Sequence, residues 1–159
     1  MERKLNDLKK EYAVLQKKYK LPPFDQLNLN FDIERALERE TDYLLREIRR
    51  NVADKVYLYL KFCEMILNPS NAPFFMFSLI KNLSAGEKKK IDELYKKLAK
   101  MDIDMMDLDL NYSEKKEADF INSIFKEWKG INENLTLVVK SFKGSFDKSN
   151  EGNSKAYFS

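Results

Sequence analysis

Between Phe31 and Leu67, apolar residues recur at Ile33, Leu37, Leu44, Leu45, Ile48, Val52, Val56, Tyr59, Leu60, Cys63 and Ile66. The intervals are mostly three or four, which places these side chains on one face of a helix. No Gly or Pro interrupts the stretch. The pattern therefore predicts one helix of roughly 35 residues, about 50 Å long, as a spine for the others. Its first half is rich in charge and carries a narrow stripe. Val56–Leu67 is apolar on most sides and is expected to be the more buried half. Asn68-Pro69 ends it, because the residue before a proline is pushed out of the α region.

Residues 3–20 carry Leu5, Leu8, Tyr12, Leu15 and Tyr19 at alternating steps of three and four, with lysines on the other faces. Such a heptad stripe fits a helix docked on the bundle. The alternative is a semi-detached coiled-coil arm, residues 1–20, reaching a second chain, or a basic face for an acidic surface. Pro22-Pro23 stops this helix, and Phe24–Asn30 reads as an extended connector, with Asn30 or Asp32 capping the spine. After a turn at 68–71, Pro73 opens a short helix bearing Phe74, Phe75, Met76, Phe77, Leu79, Ile80 and Leu83. It is apolar nearly all round, which suits either a plug in the core or a surface for a partner.

Ser84 and Glu87 form a capping box. The helix they open has a seam at Ile91, Leu94, Leu98, Met101, Met105 and Leu108, and a second row at Tyr95, Ala99, Ile103, Met106 and Leu110 that would widen the buried face. A break at residues 111–114 precedes the last helix, whose seam is Ala118, Ile121, Ile124, Trp128, Ile131, Leu135, Val138 and Phe142. The seam continues through Gly130, so one helix to about residue 143 is expected, with a break at Gly130 as the alternative. From Gly144 the composition turns to Gly, Ser, Asn and Lys, which reads as a flexible tail over 144–159. Its terminal Tyr157-Phe158 is either a docking peptide or of no special role. The expected fold is all-α: an antiparallel bundle of four long helices and one short helix, in a single domain over residues 1–143.

Composition sharpens this picture mainly by exclusion. Among 159 residues there are four Gly, four Pro, one Cys and no His. Few turn residues argue against an all-β protein. Without histidine, Ser-His and Cys-His nucleophile pairs are absent, as are the usual zinc sites and the Glu-x-x-His di-iron site of ferritin-like bundles. The four glycines are scattered singly and form no phosphate loop. Cys63 falls on the core side of the spine and reads as a small buried apolar residue, at home in a reducing compartment. The longest apolar run, near Phe74–Ile80, is far short of the ~20 residues a membrane span needs. The aspartates at 102, 104, 107 and 109 invite a calcium loop. Starting one at Asp107 puts Tyr112 where glycine is needed and Ala118 where a bidentate glutamate is needed, so that reading fails.

Charge is uneven. Residues 1–20 hold seven cations and three anions, about +4, while residues 101–119 hold two cations and seven anions, about −5. Five of the six arginines lie between Arg35 and Arg50. Asp42, Arg46, Arg50 and Asp54 step by four and can form an ion-pair ladder, but Arg46 and Arg50 repel each other and invite a partner outside the helix, either elsewhere in the bundle or a phosphate or acidic partner. These features point to a non-enzymatic helical interaction or scaffold module without cofactor or metal. Its contact residues would be Leu5, Leu8, Tyr12, Leu15 and Tyr19 in the first helix, Arg46, Arg49 and Arg50 in the spine, and Phe74, Phe75 and Phe77 in the short helix. The expected partner is another protein or a second copy. The alternative is nucleic-acid association through Lys9, Lys10, Lys17, Lys18, Arg46, Arg49 and Arg50. No membrane and no small-molecule substrate are implied, and the expected location is cytoplasmic.

Overall fold

The structure, a computed structural model, describes residues 5–38 and 42–156. Among them the chain is all-α, with no strand. The helices are α1 (Leu5–Tyr19), α2 (Phe24–Phe31), α3 (Leu44–Leu67), α4 (Phe74–Lys81), α5 (Ala85–Leu110) and α6 (Glu114–Ala156). Short 3-10 segments cover Ile33–Glu38 and Pro69–Asn71. No helix among the described residues is long and apolar enough to cross a membrane.

Two expectations at the start of the chain fail together. The spine is not one helix from residue 31; α3 begins at Leu44 and is 24 residues long. The supposed connector Phe24–Asn30 is instead α2, which ends at Asp32. Asp32 takes the left-handed conformation (φ 52°) while its amide donates to Asn28 O at 2.8 Å. Aspartate tolerates that region better than most residues, so the helix turns off without a Gly or Pro to announce it. Asn28 Oδ1 then accepts the Glu34 amide, holding the 3-10 turn that follows. Pro23, read as a stop, also serves as a start: its carbonyl accepts the Leu27 amide, the first bond of α2. Lys20 (φ 54°) closes α1, with the Leu21 amide returning to Gln16 O.

Contacts group the chain into two compact units whose boundaries cut across α3, α5 and α6 rather than falling in a linker. The first comprises residues 1–59 and 98–128. Here Leu8 and Tyr12 of α1, Leu27 and Phe31 of α2, and Leu45, Ile48, Val52 and Val56 of α3 are buried with Leu98, Met101, Met105, Leu108, Ala118, Ile121, Ile124 and Trp128. Tyr12 Oη donates to Pro22 O at 2.7 Å and its ring meets Phe24 edge-on. Tyr19 is tied to α6 twice, through its hydroxyl to Glu114 and its carbonyl to Asn122. So α1, the candidate coiled-coil arm, has its stripe turned inward: Leu8 and Tyr12 are core, Leu15 and Tyr19 half-buried, and Leu5 partly exposed. Phe31 and Tyr59 both pack on Trp128.

The second unit comprises residues 60–97 and 129–159. Its core joins Leu60, Cys63 and Ile66 of α3, Met76, Leu79 and Ile80 of α4, Leu83, Ile91 and Leu94, and Ile131, Leu135, Val138 and Phe142 of α6. Phe62 and Phe142 meet edge-on. The capping box forms as expected, with the Glu87 amide donating to Ser84 Oγ and the Ser84 amide to Glu87 Oε2. Both seams read for α5 and α6 are buried throughout. The second row on α5 widens the covered face only at half-buried Tyr95 and Ala99; Ile103, Met106 and Leu110 are exposed.

α6 runs unbroken through Gly130 and on past Gly144, where the sequence suggested a tail. Tyr157 and Phe158 lie outside the described residues. A Cβ added at Gly130 would meet nothing within 4 Å. Gly130→Ala is therefore expected to stabilise the fold by about 1 kcal/mol, read from the urea midpoint; a destabilised variant would mean that α6 is not continuous there.

Candidate functional site

Two clusters merit attention, one in each unit. The first is charged. Arg49 stands one turn after Leu45 and just before Val52, on the stripe that α3 buries, and is 2% exposed. Glu117, one turn before Ile121 on the α6 seam, is 0% exposed. Arg49 Nε donates to Glu117 Oε2 at 2.7 Å and Arg49 Nη2 to Asp109. Arg46 Nε faces Glu117 Oε1 across 3.9 Å, and neither atom makes a hydrogen bond. The Arg46 guanidinium lies 4.3 Å from the Tyr112 ring centre and 5.8 Å from that of Tyr43, and those rings pack edge-on. Arg50 Nη1 donates to Glu47 Oε1.

This arrangement answers the like-charge problem of Arg46 and Arg50 by pairing within the bundle, one of the two internal solutions expected, rather than by the ladder with Asp42 and Asp54. The two arginines diverge, Arg46 to Glu117 and Arg50 to Glu47. Burial pushes the Glu117 carboxyl above its ordinary range, against the downward pull of Arg49 and Arg46. The cluster clamps α3 to the α5–α6 corner, and its chemistry ends there: the buried guanidinium is saturated by carboxylates rather than offered outward. Glu117 was missed in the sequence, although an acid at a seam position is a readable signal. Arg49 was noticed, but as a surface contact. Its burial removes it from any partner or nucleic-acid face. Lys9 and Lys18, also proposed for phosphate, pair with Asp25 at 3.0 Å and Glu114 at 2.8 Å.

The second cluster is apolar and outward. On α4, Met76, Leu79 and Ile80 point into the second unit, while Phe74, Phe75 and Phe77 are 94%, 56% and 37% exposed. At 100° per residue, Phe74, Phe77, Ser78 and Lys81 share one face, with Phe75 at its edge. Ser78 Oγ donates back to Phe75 O and so adds little polarity to that face. Of the two readings open for this helix, the buried side satisfies the core plug and the aromatic side remains uncovered. The eleven contact candidates thus scatter. Leu8, Tyr12 and Arg49 are interior, Leu15, Tyr19 and Arg46 are half-buried, Leu5 and Arg50 are partly exposed, and the three phenylalanines alone form a coherent open face.

The second unit carries a groove of about 210 Å³ lined by Glu87, Lys90, Ile91, Leu94, Asn134, Leu137 and Val138, and a more open one of about 370 Å³ lined by Lys61, Glu64, Met65, Asn68 and Asn71; only the second reaches the ~300–1,000 Å³ usual for ligand pockets. Among the described residues no group of three or more His, Cys, Asp or Glu is placed to hold a metal. The Cys63 thiol is buried, and burial pushes it up to about 11, away from reactive thiolate. Comparison with known protein families, curated proteins and solved structures finds no match.

Two outcomes test the charged cluster. Arg49→Met leaves Glu117 buried beside a weaker partner and is expected to cost about 3–5 kcal/mol, whereas Arg49→Met with Glu117→Leu should recover much of it; a double variant whose loss equals the sum of the two single losses would show that the pair is not coupled. At the rim, the Lys18 ammonium and the Tyr19 hydroxyl hold the Glu114 carboxyl below its usual range. A depressed carboxyl stabilises the fold above its unfolded pKa and loses that contribution as pH falls. Glu114→Gln should therefore be less stable than the parent at neutral pH, with the gap closing on acidification through the carboxylate range; a gap that widens in acid would reverse the assignment.

Proposed function

We propose that this chain is a non-enzymatic protein-interaction module that works through the aromatic face of α4. The observation that carries this reading is the exposure of Phe74, Phe75 and Phe77 on one short helix whose opposite side is well buried. Three clustered phenylalanines in water represent a contiguous apolar patch of the kind that marks interaction sites, and aromatic side chains supply most hot-spot energy at interfaces. Half-exposed Leu67 belongs to the same unit. The absence of histidine and of a glycine-rich phosphate loop supports a binding rather than a catalytic role. A single buried thiol fits work in a reducing compartment, the cytoplasm. Nucleic-acid binding is not favoured, because the three arginines, Lys9 and Lys18 among the residues that suggested it stand beside carboxylates, leaving Lys10 and Lys17 as the exposed remainder.

The test is a photo-crosslinking phenylalanine analogue placed at position 74, with the same group at Lys115, an exposed position in the other unit, as control. A defined protein adduct from position 74 and none from position 115 is expected in cells. Adducts that are absent or identical from both positions would contradict the reading.

A further inference from the structure

We infer that the occupant of the α4 face is a second copy of this chain, and that the part of the copy that covers it is the exposed stripe of α5. The inference rests on the reading of α4 as a docking face and names its partner. It starts from a second apolar surface that the fold leaves open. Ile103, Met106 and Leu110 step three and four along α5, each more than half exposed. They lie on a different side of the helix from the buried seam through Leu98, Met101, Met105 and Leu108.

The two faces match in length, character and charge. α4 is eight residues long, and Ile103–Leu110 spans the same length, about 12 Å of helix. One presents flat aromatic rings and the other flexible aliphatic and thioether side chains, which fill gaps between rings well. Lys81 lies one turn beyond Phe77 on the α4 face, and residues 81–90 hold four lysines against one glutamate. On α5 the polarity inverts: residues 101–110 hold four aspartates and no cation. Asp102 and Asp107 border the stripe on its two sides at 100° per residue. Asp104 and Asp109 are committed to the cations Lys100 and Arg49; Asp102 and Asp107, the latter accepting from the neutral amide of Asn111 at 2.9 Å, are in no ion pair among the described residues and are the acids that meet Lys81 of the copy.

Size favours using the contact twice. At roughly 200 Å² per phenylalanine, the three rings expose on the order of 350 Å². That is below the about 800 Å² per partner of a standard stable interface, but a two-fold pairing in which each copy gives both faces approaches it. If the rotation does not close, the same contact makes an open chain of copies.

Sedimentation of the purified full chain across a range of concentrations, at low and high salt, tests this. Mass should rise above the monomer with concentration, to a dimer for closed pairing or beyond it for open chains. Phe74→Ser with Phe75→Ser should abolish the rise, and both positions are exposed, so circular dichroism should not change. Lys81→Glu and Asp107→Lys should each weaken association by about tenfold, and combining them should restore it. A monomer under every condition overturns the inference, as does a charge swap that fails to restore association. If the chain stays monomeric while position 74 still crosslinks to a different protein, the copy is excluded and the docking face stands; if both fail, both fall.

Discussion

A helix can offer its neighbours one apolar stripe, and whatever is greasy outside that stripe must be covered by something else. This constraint shapes the whole chain. The seams of α5 and α6 are narrow, regular and wholly buried, and α3 adds the third. Because the seams carry the core, the remaining faces are free to be charged, and most are. Among the exceptions are the rings of α4 and, on α5, Ile103, Met106 and Leu110, which are apolar, exposed and outside any seam. A fold that satisfies its own burial so completely along three helices has no internal use for them.

One charged pair is built into the seam rather than excluded from it. Arg49 and Glu117 occupy positions where an aliphatic residue would pack, and they meet there at 2.7 Å. Such a pair is not a strong stabiliser, since the desolvation of both groups offsets most of their attraction. Its effect is on specificity, because any slip of α3 along α6 in the first unit would leave a guanidinium and a carboxylate buried apart. Asp109 and Arg46 extend the pair toward the surface, with the Tyr43 and Tyr112 rings beside Arg46. The region that looked most like a phosphate site thus serves the fold.

Much of the fold was legible because periodicity reports burial directly. Every seam residue read for α5 and α6 is buried, and the capping box at Ser84 and Glu87 forms with both hydrogen bonds. What was illegible is equally physical. The break between α2 and α3 depends on Asp32 adopting a left-handed conformation, which no glycine signals. Pro23 begins α2, while α1 has already been closed by Lys20, and the residue type alone does not say whether a proline stops or starts a helix. The outer row on α5 has the same spacing as a seam, and only packing tells an inward stripe from an outward one. For the contact residues the same ambiguity held: exposure separates Phe74 from Tyr12, while their spacing does not.

The account stands on the α4 rings being open in the isolated molecule while the seams are filled. Fluorine NMR of the chain labelled with fluorophenylalanine reads this most directly, by the change in each resonance when H2O is replaced with D2O in dilute solution. The signals of Phe74, Phe75 and Phe77 should respond to the solvent, and those of Phe31 and Phe142 should not. Solvent-insensitive signals at all three α4 positions would place the rings inside the fold and contradict the account.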